Sequence, residues 1–411
     1  MKEIWIDSTL GDLCQVIAGQ SPESKYYNQE GIGLPFYQGK KEFGQKFIGK
    51  PQTWTRKITK EAEYGDILMS VRAPVGPINF ATEKICIGRG LAAIRAESKI
   101  DREFLFYGLL SKQNEISGNE GAVFASINKN QIESIKFSYP PLPEQKRIVA
   151  ILDEAFEGID RAISNTEKNL SNARELFESY LNSIFSQKGE GWEEKKLEDI
   201  CNIKHGFAFK GEFFTSEKSD YILLTPGSFY ESGGYRDQGE KTKYYIGEIP
   251  DSFILKKGDF LFAMTEQAVG LLGSSLIVPE SNRFLHNQRL GLVQVNKGFE
   301  WHNDFFFHQF NTRNFRAAVQ SSASGVKVRH TSPTKLGAIS VYFPSTITEQ
   351  KAVADTLNEL YAETQRLENI YRQKIAALKE LKQSILQKAF SGELTADKGI
   401  TAITAKEEIA A

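Results

Sequence analysis

The sequence predicts an α+β fold. Two strand-rich globular domains are separated by two long helices that pair as an antiparallel coiled coil, and the whole is a pseudo-two-fold tandem repeat. Three observations predict it. Short matches recur in order along the chain. Two long stretches without proline carry a heptad of apolar residues. The segments between them break into short apolar runs punctuated by Gly, Pro, Asn and Asp.

The repeat is read from its offsets. Trp5…Leu10-Gly11-Asp12-Leu13-Cys14…Gly19 recurs as Trp192…Leu197-Glu198-Asp199-Ile200-Cys201…Gly206, 187 residues on. Tyr37-Gln38-Gly39 sits where Thr225-Pro226-Gly227 recurs at 188, Gly65-Asp66-Ile67-Leu68 matches Gly258-Asp259-Phe260-Leu261 at 193, and Val75-Gly76 matches Val269-Gly270. Gly88-Arg89-Gly90-Leu91 aligns with Gln288-Arg289-Leu290, setting Arg89 on Arg289 at 200. Glu144-Gln145-Lys146 matches Glu349-Gln350-Lys351, and Phe185-Ser186 matches Phe390-Ser391, both at 205. The offset grows and never reverses, as insertions in the loops of a second copy would make it.

Each copy ends in a helix. Ile148, Leu152, Ala155, Ile159, Ala162, Thr166, Leu170, Ala173, Phe177, Tyr180 and Ile184 fall at steps of four and three, a seam on one face. Val353, Leu357, Leu360, Thr364, Leu367, Tyr371, Leu378, Leu381 and Ile385 repeat it. Prolines mark the entrances (Pro140, Pro141 and Pro143; then Pro344), and Gly189 and Gly392 mark the exits. Such a seam must be buried. The other copy is the economical partner, in antiparallel sense; a helical hairpin inside an ordinary core is the plainer alternative. The divisions are 1–143, a helix over 144–187, 188–348, a helix over 349–394, and a flexible tail over 395–411.

The globular segments read as strands, for example Ile67-Leu68-Met69-Ser70-Val71 and Leu290-Gly291-Leu292-Val293-Gln294-Val295, with helical turns near Arg102–Lys112 and Asn303–Gln320. Net charge is −1 over 411 residues, which argues mildly against a polyanion partner, but the basic residues are clustered. Between Gln38 and Lys60 lie Lys40, Lys41, Lys46, Lys50, Arg56, Lys57 and Lys60 against the single acid Glu42; Lys327, Arg329 and Lys335 have no acid among them. Solvated loops would look the same. Cys14, Cys86 and Cys201 form no CxxC pair, so neither disulfides nor zinc are expected and a reducing cytoplasm fits. No apolar leader opens the chain and no apolar run is long enough for a membrane span.

Catalytic signatures are missing. There is no GxxxxGK[ST] loop, the histidines (His205, His286, His302, His308, His330) have no metal spacing, and no acid-x-Lys follows Pro250-Asp251 as a nuclease would require. Tyr139-Pro140-Pro141-Leu142 is superficially like an adenine methyltransferase loop but lacks the Asn or Asp to hold an adenine amino group. It reads as a helix-entry turn. No enzyme activity and no cofactor are expected of this chain.

Pro140-Pro141-Leu142-Pro143-Glu144-Gln145-Lys146-Arg147-Ile148-Val149 opening the first helix resembles the conserved regions of type I restriction–modification specificity subunits. So does Leu381-Lys382-Gln383-Ser384-Ile385-Leu386-Gln387-Lys388-Ala389-Phe390-Ser391-Gly392-Glu393-Leu394 closing the second. Trp192…Leu197…Ile200-Cys201, Lys257-Gly258-Asp259-Phe260-Leu261 and Ser126-Ile127…Ile132 are similar to pieces of that family's target-recognition domains. The likeness runs from residue 1 to about 395; Thr346-Ile347-Thr348 departs from it, replacing the second Pro-Leu-Pro turn. The resemblance implies that each globular domain reads one half of a bipartite, asymmetric double-stranded DNA site. The helices would set the spacer and dock two methylation subunits, which carry S-adenosylmethionine, and restriction (translocase–nuclease) subunits would complete the complex. Two other readings stay open: the specificity subunit of a related system with a fused methyltransferase–nuclease, and a coiled-coil scaffold that binds no DNA.

DNA contacts are expected from the basic and polar loops: Tyr37, Gln38, Lys40, Lys41, Lys46 and Arg89 in the first domain, and Lys241, Lys243, Asn287, Gln288, Arg289, Lys327, Arg329 and His330 in the second. Arg89 and Arg289 coincide in the two copies, although a repeated arginine equally suits a bridge between loops of its own domain.

Overall fold

The computed structural model describes residues 5–117, 126–266 and 270–395. Val269 and residues 396–411, nearly all of the expected tail, therefore lie outside the described residues. The chain forms two compact units, one of residues 1–166 with 373–411 and one of residues 167–372. Each long helix, Leu142–Gln187 and Ile347–Ser391, thus contributes one part to each unit.

The two units repeat one topology. In the first, strands Cys14–Ala18, Leu91–Ala96, Ile67–Ser70 and Ile78–Phe80 form an antiparallel sheet in that order. In the second, Cys201–His205, Leu290–Val295, Phe260–Ala263 and Ser275–Ile277 do the same. A further sheet in each unit contains one parallel pair, Leu34–Tyr37 with Ile85–Ile87 and Ile222–Leu223 with Phe284–Leu285. The strand that opens each copy pairs with the one that precedes its long helix: Ile6–Thr9 with Lys136–Tyr139, and Trp192–Lys196 with Ser340–Pro344.

A buried glutamine fixes each helix start. Gln145 and Gln350 are both 0% exposed. The Gln145 amide oxygen accepts from Asp101 N at 2.7 Å while its nitrogen donates to Lys99 O and Pro140 O at 3.1 and 2.8 Å. Gln350 accepts from His302 N at 3.0 Å and donates to Glu300 O and Pro344 O, both at 3.1 Å. The repeated Glu-Gln-Lys is a fastening between the helix and the loop before the domain's own helix.

Inside each unit the helices pack on each other and on the sheet. Ile148, Leu152, Phe156, Ile385, Leu386 and Ala389 join the first core; Leu181, Phe185, Ala354 and Leu357 join the second. In the second unit Arg174 meets Glu368 at 2.7 Å and Phe177 meets Tyr361 at 5.2 Å, so that one helix ascends as the other descends: the pair is antiparallel. Lys382 grips Asp160 in the first unit at 2.7 and 2.8 Å. The seam departs from the expected heptad at its ends. Tyr180 (41%) and Leu381 (45%) are exposed, while Leu181 and Leu386 are buried, because there the helices face a domain core and no longer only each other.

A polar latch also ties each domain to its helix. In the first copy, Tyr107 donates to Asp153, and Lys46 lies 3.1 Å from the same carboxylate and 3.0 Å from Glu103. In the second, His308 Nε2 sits 2.8 Å from Asn358 Oδ1, and Asn358 Nδ2 donates to Asp304 at 3.0 Å. The places correspond; the first joins a lysine to two carboxylates, the second an imidazole and an amide to one.

Candidate nucleic-acid interface

Three backbone segments converge at one edge of each domain. In the first, Val71 N donates to Gly90 O at 3.0 Å and Ile127 N to Val71 O at 3.0 Å. In the second, Met264 N donates to Arg289 O and Thr331 N to Met264 O, both at 2.9 Å. A tight turn, a strand end and a third segment therefore lie side by side in both domains; in the second that segment is the stem of a hairpin. The turn is closed by Leu91 N to Gly88 O in one copy and by Leu290 N to Asn287 O in the other, both at 2.9 Å. Gly19 and Gly206 line its inner side: a Cβ on either would come within 2.2 Å or 2.1 Å of backbone oxygen, so only glycine permits this approach.

These bonds correct the alignment of the arginines. Ala93 pairs with Leu68 as Leu292 pairs with Leu261, and the turn-closing bonds agree, so the true offset is 199. Arg89 corresponds to Gln288, and Arg289 to Gly90. The coincidence of two arginines is a one-residue misregistration. What remains is that each turn displays one exposed arginine, at its second position in the first copy and its third in the second. Arg89 N is held by Ser21 Oγ at 3.2 Å and Arg289 N by Asn287 Oδ1 at 3.0 Å. Neither guanidinium has a protein partner among the described residues.

Other expected contacts divide in two. Gln38, Lys40, Lys41, Lys241, Lys243, Gln288, Lys327 and His330 are exposed; Lys41 leans on Gln52 at 2.9 Å, and His330 on Ser324 at 3.2 Å. Asn287 is 8% exposed and serves the turn itself. Three further expectations are corrected. Tyr37 is 2% exposed and donates to Gly49 O at 2.9 Å; burial, with Glu83 and Glu42 nearby, pushes its phenol up to about 12. It is core, like Leu224, which the strand register sets at the corresponding place at an offset of 187 in place of 188. Lys46 is spent on the latch: burial would lower its pKa, but Glu103, Tyr107 and Asp153 hold it above the ordinary lysine range. Arg329 is clamped by Gln320 and lies 3.6 Å from the buried Glu266.

Arg72 was not anticipated. It is exposed, lacks an acidic partner among the described residues, and forms a backbone bridge with Ser126 next to the Arg89 turn. Its signal was an arginine directly after the run Ile67–Val71 and two residues before Pro74, a strand end pointing out of the core. No cluster among the described residues brings three His, Cys, Asp or Glu together as a metal site, and no helix among them is long and apolar enough to cross a membrane.

The chain matches the family described as type I restriction modification DNA specificity domain, over residues 2–170 and again over 189–379. It belongs to that family. A putative type I restriction enzyme MjaX specificity subunit of Methanocaldococcus jannaschii is 43% identical over 46% of this chain, a stretch that spans 44% of the relative. The Escherichia coli EcoBI specificity subunit is 28% identical, again with 44% of its length spanned. The M. jannaschii MjaVIII specificity subunit is 23% identical, but over 96% of this chain and 94% of its own. A solved chain from a study of complex assembly and conformational transition of the type I R-M system superposes with a TM-score of 0.76 at 17% identity, covering 95% of this chain and 99% of that one. The HsdS subunit from Thermoanaerobacter tengcongensis gives 0.58, at 17% identity over 95% and 98%. These likenesses establish the fold of this family member, two strand-rich repeats with long helices.

Proposed function

We propose that the chain is the DNA-recognition subunit of a type I restriction–modification complex. Each strand-rich domain reads one half of a bipartite, asymmetric double-stranded site. The paired helices set the spacer and dock two methylation subunits, which bring S-adenosylmethionine, and restriction subunits complete the assembly. The chain itself reads and positions; it performs no reaction.

One observation carries this reading. Each domain holds the same backbone-anchored turn at the same edge, yet displays a different set of free side chains there: Arg72 and Arg89 in one, Gln288 and Arg289 in the other. A common scaffold with different readers is what an asymmetric target needs. An unpaired arginine on a rigid turn suits the bidentate contact to guanine O6 and N7 in the major groove, while the flanking lysines set register on phosphates without reading sequence.

The test uses the full chain with its methylation partner and selection from a randomised duplex library. Arg89→Ala is expected to relax one position of one half-site and Arg289→Ala one position of the other, each costing about 1–3 kcal/mol at that position. Both side chains are exposed, so melting temperatures stay put. A change in both half-sites from either variant refutes independent readers, and a wild-type complex that enriches no sequence refutes DNA reading altogether.

A further inference from the structure

The hairpin beside the second turn has an unusual tip. Val326 is 98% exposed and Val328 45%, with Lys327 exposed between them. Single apolar side chains on a surface need no explanation. A valine held out at the tip of a hairpin whose stem is closely hydrogen-bonded does. Ser324 and His330 exchange backbone hydrogen bonds at 3.0 and 2.9 Å, and Ser324 Oγ meets His330 Nε2 at 3.2 Å and accepts from Lys335 Nζ at 3.0 Å. Gly325, at φ +100°, makes the turn; a Cβ there would sit 2.1 Å from Val328 O. At the base, Arg329 is locked to Gln320, and strand Arg329–His330 pairs with Thr265–Glu266.

Charge and continuity say what covers this tip. No acid occurs from Ser324 to Leu336, while Lys327 and Lys335 do. The nearest carboxylate at the base, Glu266, is 3% exposed and turned to the interior, accepting from Leu272 N at 2.8 Å. The stem also shares its backbone ladder with the Arg289 turn through Met264, so turn and hairpin present themselves to one partner. A two-stranded ribbon fits the major groove of B-DNA, where the apolar group on offer is the thymine 5-methyl. We infer that Val326 is a thymine-methyl probe for the half-site read by the second domain, with Lys327 on an adjacent phosphate. The inference rests on the DNA-reading function proposed above and adds a base identity to it.

Wild type and Val326→Ala, as full chains with the methylation partner, are each selected against a randomised duplex library. The wild type is expected to require thymine at one position of one half-site, and Val326→Ala to relax that position alone. Binding is then measured on two otherwise identical duplexes carrying thymidine or deoxyuridine there. Loss of one methyl contact should weaken the wild type about four-fold, and Val326→Ala should not distinguish the two. Because the side chain is fully exposed, the variant's melting temperature should equal that of the wild type, which excludes a folding effect. Unchanged base preferences in Val326→Ala, or a wild type indifferent to deoxyuridine, overturn the inference while leaving DNA reading intact. A wild type that enriches nothing overturns both.

Discussion

His286 shows how one residue can set a domain's response to acid. It occupies the place that Ile87 fills in the first copy: Gln20 N donates to Ile87 O as Phe207 N donates to His286 O. It is 0% exposed, its Nε2 bonds to Leu290 O at 3.0 Å, and its Nδ1 has no partner among the described residues. Burial, aided by Lys204 and His205 and opposed by the Leu290 carbonyl, lowers its pKa to about 4. The folded state therefore demands neutral imidazole. That stability is complete above the unfolded value near 6.5 and drains away as pH falls toward 4, up to about 3 kcal/mol. Urea unfolding at pH 7 and pH 4.5 should show the loss, and His286→Ile should reduce the difference, with the buried His308, whose pKa burial also lowers, keeping part of it; an equal pH dependence in both proteins would mean other groups carry it. Residue by residue, exposure was the least legible property. The sequence shows that Tyr37, Lys46 and Arg329 are polar or basic and lie near loops, but not that a strand turns the first inward or that acids distant in sequence claim the other two.

At the scale of elements, the glutamine fastenings are the points of greatest leverage. Truncating a fully buried amide removes three hydrogen bonds and strands the backbone groups that made them. Gln145→Ala and Gln350→Ala should each destabilise by about 2–4 kcal/mol, read as a fall in the denaturant midpoint. Hydrogen exchange should locate the loss in the variant's own unit; a loss below about 0.5 kcal/mol, the range of ordinary surface changes, would make the fastening incidental. The helices themselves were legible because a heptad is a local pattern. Its slip at Tyr180 and Leu381 was not, since the choice between neighbouring apolar residues is made by a core assembled from distant strands. The same limit explains the misaligned arginines: identity alone favoured an offset of 200, and the strand register fixes 199.

For the whole molecule, the proposed function turns on length. The first helix has 46 residues and the second 45, about 69 Å and 68 Å at 1.5 Å per residue. Lengthening both by four residues, after Thr166 and after Arg372, adds about 6 Å to each and turns each seam by about 40°. With DNA rising about 3.4 Å per base pair, the recognised spacer should grow by one or two base pairs while both half-sites keep their sequence. Sequencing of methylated sites would show it, and an unchanged spacer would remove the helices as its determinant. The duplication was the most legible feature because its main elements repeat in order and many weak matches reinforce one another. The compact units part within the helices, at 166 and 372.

The latches bear on where one such chain could be cut and joined to another. A crossover at the proline turn would bring in a foreign residue at positions 46 and 107 yet leave the resident Asp153 behind, a half-buried carboxylate without its cation. An incoming domain built like the second copy would bring an imidazole and a carboxylate in place of the lysine and meet the wrong partner. A recombinant inherits a matched pair only when the break falls beyond Asp153, or beyond Asn358 in the second copy. A cassette that keeps its own latch is therefore longer than the strand-rich domain, and carries with it the opening turns of the helix on which it stands.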